Sequence, residues 1–307
     1  MGGQLSSSPA LAIGLGVTAA LMFGVASVAD QHSTHLVQER KALSPRIFVD
    51  LARKPLWLAS IGGTLLGFAL QVLALNYGPL ALVEPLLACG LIFAVLINSY
   101  LHKRFDPILL AGVVGTAGGI AGFLIIANPS AGRTSVGFFT ILPLGAGLFA
   151  ALAACLAVSR RSPVLKPLAL ALACGICYGT AAFLVKLVIS DAGAGLGALL
   201  TDWPIYALAV VGPLGFLLNE NAFQSGTLLA PVLSIITVCD PVISVTLGWL
   251  WLDEQLSGSA AGLVGEILTL LLMAAGVVVI SHRAQHLVPG APDGAPAARA
   301  DHSSARS

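Results

Sequence analysis

Charge is what this chain has least of. Its 307 residues include 15 Lys or Arg and 14 Asp or Glu, a charged fraction of 9% where soluble domains carry about 25%. So few charges cannot clothe a water-soluble surface. A net charge of +1 implies no nucleic acid or acidic ligand as partner. Cysteine is sparse and odd in number. All five (Cys89, Cys155, Cys174, Cys177, Cys239) lie in apolar blocks, which does not suggest a disulfide framework. No Walker motif, nucleophile elbow or zinc-protease spacing occurs, so neither an enzyme nor a bound cofactor is expected.

What the chain does have is hydrophobic length. Hydrophobic residues make up 57% and mean hydropathy is +0.94. About 20 apolar residues span a bilayer as a helix, because lipid leaves no partner for an open backbone. Nine such blocks are read at 9–29, 56–76, 80–100, 108–127, 136–158, 168–189, 203–224, 228–252 and 260–281. The first is expected to be retained rather than cleaved, since no Lys or Arg precedes it. The fold class is therefore an all-α polytopic membrane protein.

Positive charges are distributed unevenly between the loops. One side of the membrane holds 13 basic residues, among them Arg40, Lys41, Lys103, Arg104, Arg160 and Arg283, and the other holds Arg133 alone. The positive-inside rule then places the N-terminus outside and the C-terminus in the cytoplasm, with the cell membrane as the expected location. Residues 1–8 form a short extracytoplasmic start. The cytoplasmic loop 30–55 is polar, and its "DQHSTH" reads as solvated loop more readily than as a metal site. The Pro-, Ala- and Ser-rich tail, 282–307, is expected to be disordered.

An internal repeat runs through the blocks. Residues 68–105 lie on 218–255 at an offset of 150, which sets Gln71 on Asn221 and Arg104 on Glu254. "ALMFGVAS" in block one matches "GICYGTAA" in block six, with Gly24 on Gly179, and "GFLII" at 122–126 matches "GVVVI" at 276–280. The organisation is a first repeat 9–127, a connecting helix 136–158 and a second repeat 168–281, or 4 + 1 + 4 blocks. Five crossings between equivalent helices give the repeats opposite orientation, the arrangement of secondary transporters.

The stretch "GPLALVEPL…SYLHKRF" (Gly78–Phe105) resembles the third-helix segment of NIPA-type magnesium transporters. "AIGLGVTAALMFGVASV" is similar to the first helix of that family. "DPVISVTLGWLWLDEQLS" (Asp240–Ser257) resembles the helix ending of EamA-like proteins in the drug/metabolite transporter superfamily. The resemblance implies alternating access without catalysis and Mg²⁺ or a related divalent cation as cargo. This chain departs from it at Lys103 and Arg104, where the first half of the family ends in an acid, whereas Asp253 and Glu254 keep the pattern in the second.

Ionisable residues within apolar helices cost about 2.5–3.5 kcal/mol each to insert, so they tend to face the bundle interior and to serve function. Five are present: Glu84, Lys186, Glu220, Asp240 and Glu266. Glu84 and Asp240 each precede a proline, which frees a backbone carbonyl four residues earlier. A carboxylate beside a free carbonyl suits a hard cation, and Asp240 and Glu84 are the expected metal ligands. The same groups would serve proton coupling. Gln71, Asn76 and Asn221 are expected along the substrate path. Lys186 is expected to neutralise Glu84 or Glu266, a pairing that orders helices without touching cargo.

The glycines of the fourth block read as close-packing faces, and so do Cys174 and Cys177 more readily than as a thiol pair. Expected partners are the bilayer, a transported cation or small solute, and as a candidate a second copy of the chain. A proton-coupled carrier of an organic metabolite is the alternative function. A scaffold or sensor comes third, since it has no need of inverted repeats or buried acids.

Overall fold

The computed structural model describes residues 8–34, 55–103, 106–130, 132, 136–224, 229–257 and 259–287. Most of loop 30–55, the tail beyond 287, and Arg104 and Arg133 lie outside the described residues. Among those described there is no β-strand, only an isolated antiparallel bridge between Ser130 and Gln255.

The helices in chain order are α1 (Pro9–Thr34), α2 (Pro55–Tyr77), α3 (Leu80–Leu87), α4 (Cys89–His102), α5 (Pro107–Ala127) and α6 (Phe138–Arg161). They continue with α7 (Lys166–Ala194), α8 (Leu196–Thr201), α9 (Pro204–Gln224), α10 (Leu229–Trp251) and α11 (Ala260–Leu287). Among the described residues, nine stretches are long and apolar enough to cross a membrane, with α3 and α4 together forming one of them, Leu80–Leu101. They coincide with the expected blocks, although the fifth and sixth run on to Arg161 and Gly193. The first and last helices continue to Thr34 and Leu287, so the start of the expected loop 30–55 and of the expected disordered tail is helical. Most backbone groups of such a stretch are satisfied within the helix itself, so apolar length largely decides these elements.

The helix α3 sits at the centre, and every residue from Leu80 to Leu86 is buried. It packs against α1, α7 and α10, sharing a core of Leu75, Val83, Phe183, Leu187 and Met273. The α6 helix is the least buried of the nine stretches and rests on α7. It joins the halves from the outside.

The two halves are packed alike. A Cβ on Gly24 of α1 would stand 2.8 Å from the Gly90 carbonyl oxygen and 2.9 Å from Phe93 Cβ. One on Gly179 of α7 would stand 2.7 Å from the Asp240 carbonyl oxygen and 2.8 Å from Ile243 Cβ. Asp240 and Ile243 follow Gly90 and Phe93 by 150 positions, the offset read in the sequence. The Phe23 ring lies against Gly67 as the Tyr178 ring lies against Gly215. Lys103 (φ 51°) and Asp253 (φ 50°), again 150 apart, are both left-handed and turn the chain at the ends of α4 and α10.

Close approach matters most where α5 meets α11. Gly119 would place a Cβ 2.4 Å from the Met273 nitrogen, Gly122 faces Thr269, and Gly115 faces Gly276. Advancing each α5 residue by 154 gives its α11 counterpart, so this contact set maps onto itself when the halves exchange. An approximate two-fold axis passes between Gly119 and Met273. Small residues let the backbones touch here, as packing in lipid requires.

Candidate functional site

The site is assembled where α3 crosses α10. Glu84 lies one turn into α3 and is 2% exposed. Gln71 on α2 donates its Nε2 to Glu84 Oε1 at 3.1 Å. Pro85 follows, and the chain hitches at Ala88, whose amide reaches back to the Pro85 carbonyl at 3.2 Å. The helix thus breaks at Ala88, four residues after Glu84. Asp240 lies midway along α10, which runs through Pro241 unbroken. Its Oδ1 is buried and has no hydrogen-bond partner. Glu84 interacts electrostatically with both Asp240 and Glu254, so one acid from the first half and two from the second contribute to a shared acidic centre.

Beside Asp240, α7 presents Tyr178 and Cys174. Cys174 Sγ lies 3.9 Å from Asn219 Oδ1 on α9, and Tyr178 interacts with Asp240 and Glu220. Glu220 itself is exposed. Asn76 is half-buried. Asn221 is exposed and turned onto its own helix, donating to the Leu217 carbonyl at 2.7 Å. Glu266, 3% exposed, accepts the Ser257 amide at 2.9 Å and so holds the loop that precedes α11. Replacing Glu266 by alanine would leave that amide unpartnered, a cost of about 1–3 kcal/mol. A lower melting temperature is the expected result.

Lys186 does not neutralise Glu84 or Glu266. Its ammonium donates to the carbonyls of Leu75 and Gly78, where α2 ends, and the acid it interacts with is Glu254. Glu254, on the loop after α10, was not singled out among the charged candidates. Its two oxygens accept the Leu80 amide at 2.7 Å and the Ala81 amide at 3.0 Å. The 77–80 break thus carries a cation on its carbonyl end and an anion on its amide end, as helix dipoles favour.

Burial pushes the Glu254 carboxyl above the ordinary glutamate range, and the two amides and Lys186 oppose this without cancelling it. A docked carboxyl that holds its proton more tightly than an undocked one is stabilised in place by acid and loosened by base. Protection of the Leu80 and Ala81 amides from hydrogen exchange, corrected for intrinsic rate, should therefore rise as pH falls from neutral toward the ordinary glutamate value.

Among the described residues no three His, Cys, Asp or Glu gather in a way that could hold a metal ion. Two grooves, of about 310 and 640 Å³, run along the flanks of α11, and neither is lined by Glu84 or Asp240.

Nine apolar stretches among the described residues, packed around a buried acidic centre, define a membrane-embedded polytopic protein. The chain is 24% identical over 235 residues to an uncharacterised protein of Corynebacterium glutamicum, an alignment covering 74% of this chain and 79% of that one. No family model matches it, and no solved structure does.

Proposed function

We propose that this chain is a secondary transporter that moves a cation by alternating access between two half-folds of opposite orientation. Asp240 carries the reading. Its counterpart in the first half is Gly90, and both residues make the same helix contact through a backbone oxygen. The glycine shows that this packing needs no side chain at the position. A carboxylate there is costly in lipid, and its buried Oδ1 has no partner within the protein. A cargo or coupling cation supplies the missing partner.

The position also suits the role. Five crossings separate equivalent helices, so the halves face opposite ways, and such carriers bind at the repeat interface near mid-membrane. Glu84 from α3 and Asp240 from α10 belong to that interface. Mg²⁺, the cargo of the NIPA-type transporters that the sequence resembles, takes one or two carboxylates and keeps several waters. Two acids and the carbonyls freed by Pro85 and Pro241 suit it in that hydrated form. Proton-coupled carriage of an organic solute is the second reading, favoured by the absence of a third metal-ligating side chain among the described residues. On either reading the protein performs no catalytic step and sits in the cell membrane with its basic loops in the cytoplasm.

The test is flux into liposomes carrying the purified protein, with a Mg²⁺-sensitive dye and a pH-sensitive dye inside. Mg²⁺ entry that Asp240→Asn removes supports the first reading. Proton movement without Mg²⁺ entry, again dependent on Asp240, supports the second. Folded protein that moves neither ion under any applied gradient overturns both.

A further inference from the structure

Four contacts clasp the second half at the face where α2 ends and α3 begins. The Glu254 carboxylate lies on the Leu80 and Ala81 amides. The Gln255 and Ser130 backbones exchange hydrogen bonds at 3.2 and 3.3 Å. Gly132 comes so near the Leu252 carbonyl that no side chain could intervene. Lys186, from α7, holds the carbonyls of Leu75 and Gly78. Glu254 and Lys186 join the two halves directly, and the Ser130 and Gly132 contacts tie the second half to the segment that follows the first. At the opposite face, the described ion pair between the halves is partly exposed, Arg283 Nε to Asp106 Oδ2 at 3.8 Å.

Leu80 and Ala81 are fully buried, and a buried amide without an acceptor costs about 1–3 kcal/mol. Glu254 can leave only if water takes its place, since few buried amides go unpaired. An intermediate that is neither docked nor wet is disfavoured. Gly248 leaves the room the carboxylate needs, because a Cβ there would stand 2.7 Å from Glu254 Oε2.

We propose that Glu254 and Lys186 form the gate that seals this face between the two halves, and that it opens when the carboxylate withdraws from the α3 amides and water enters along α3 toward Glu84. This rests on the transporter reading. It adds that the structure is closed at this face and names what holds it closed. Withdrawal frees the start of α3, and the path it uncovers leads one turn down to Glu84 and Gln71.

Hydrogen exchange by mass spectrometry on the full chain in lipid nanodiscs tests it, with Glu254→Ala and Lys186→Met beside the wild type. In both variants, exchange should quicken at least tenfold through residues 80–86 and in the facing part of α2, while α5 keeps its wild-type rate. Quickening confined to Leu80 and Ala81 would make Glu254 a local cap and overturn the gate. Unchanged exchange in both variants would overturn it too. If Glu254→Ala fails to fold, shown by loss of protection in α5, Lys186→Met decides by the same criteria. Ion flux measured on the same preparations separates the two claims: flux without the exchange pattern sinks the gate alone, and no flux from any preparation sinks the transporter reading.

Discussion

Replacing Asp240 by asparagine is expected to lower ion flux about a hundredfold and to leave the fold intact. The substitution keeps size and shape, and the helix contact at this position runs through the backbone oxygen against Gly179, which asparagine preserves. What it removes is a negative charge with an unpartnered buried oxygen. A hundredfold loss corresponds to about 2.7 kcal/mol, within the range for a charge-assisted contact to an ion. Stability should hold or rise, because an uncompensated buried charge is itself destabilising. Flux above half the wild-type value, at equal melting temperature, would remove Asp240 from the ion path.

The second large effect is on assembly. Gly119→Val should cost about 3 kcal/mol or prevent folding, whereas Gly118→Val, one residue away, should be tolerated. A Cβ on Gly119 meets the backbone of Met273 at 2.4 and 2.7 Å and the Thr269 carbonyl at 2.7 Å. None of these atoms is a flexible side-chain tip that could move aside. Gly118 has nothing within 4 Å and is exposed. Thermal unfolding in detergent, with size-exclusion profiles, reads the difference. Equal melting temperatures for the two variants would place the axis of the two halves elsewhere.

The spans were legible because a single quantity, apolar length, decides them in lipid. The repeat was legible at glycines: Gly24 with Gly179 and Gly122 with Gly276 mark close helix contacts, and a close approach leaves few residue choices. The clasp was not legible in the same way. Glu254 and Lys186 bind main-chain amides and carbonyls, which every residue carries, so no side-chain pattern announces them. Their sequence distance from Leu80 and Leu75, more than 100 positions, hides them further. Asn221 was expected on the path because its repeat mate is Gln71. The mate does hold Glu84, but Asn221 turns back onto Leu217, since the second half has no acid at the position equivalent to Glu84, where Ser234 stands instead. Near-symmetry predicts backbone contacts well and side-chain partners poorly.

The outlying position of α6 has a consequence for how such a molecule is made. It buries less than any other stretch, so it contributes little to holding the bundle together. Its contribution comes during synthesis. One additional crossing turns over everything translated after it, so that a second half built like the first enters the membrane upside down. A second half expressed separately would lose that instruction, and its insertion would fall to the few basic residues at its own start, Lys166 foremost. In the intact chain α6 works as an inverter.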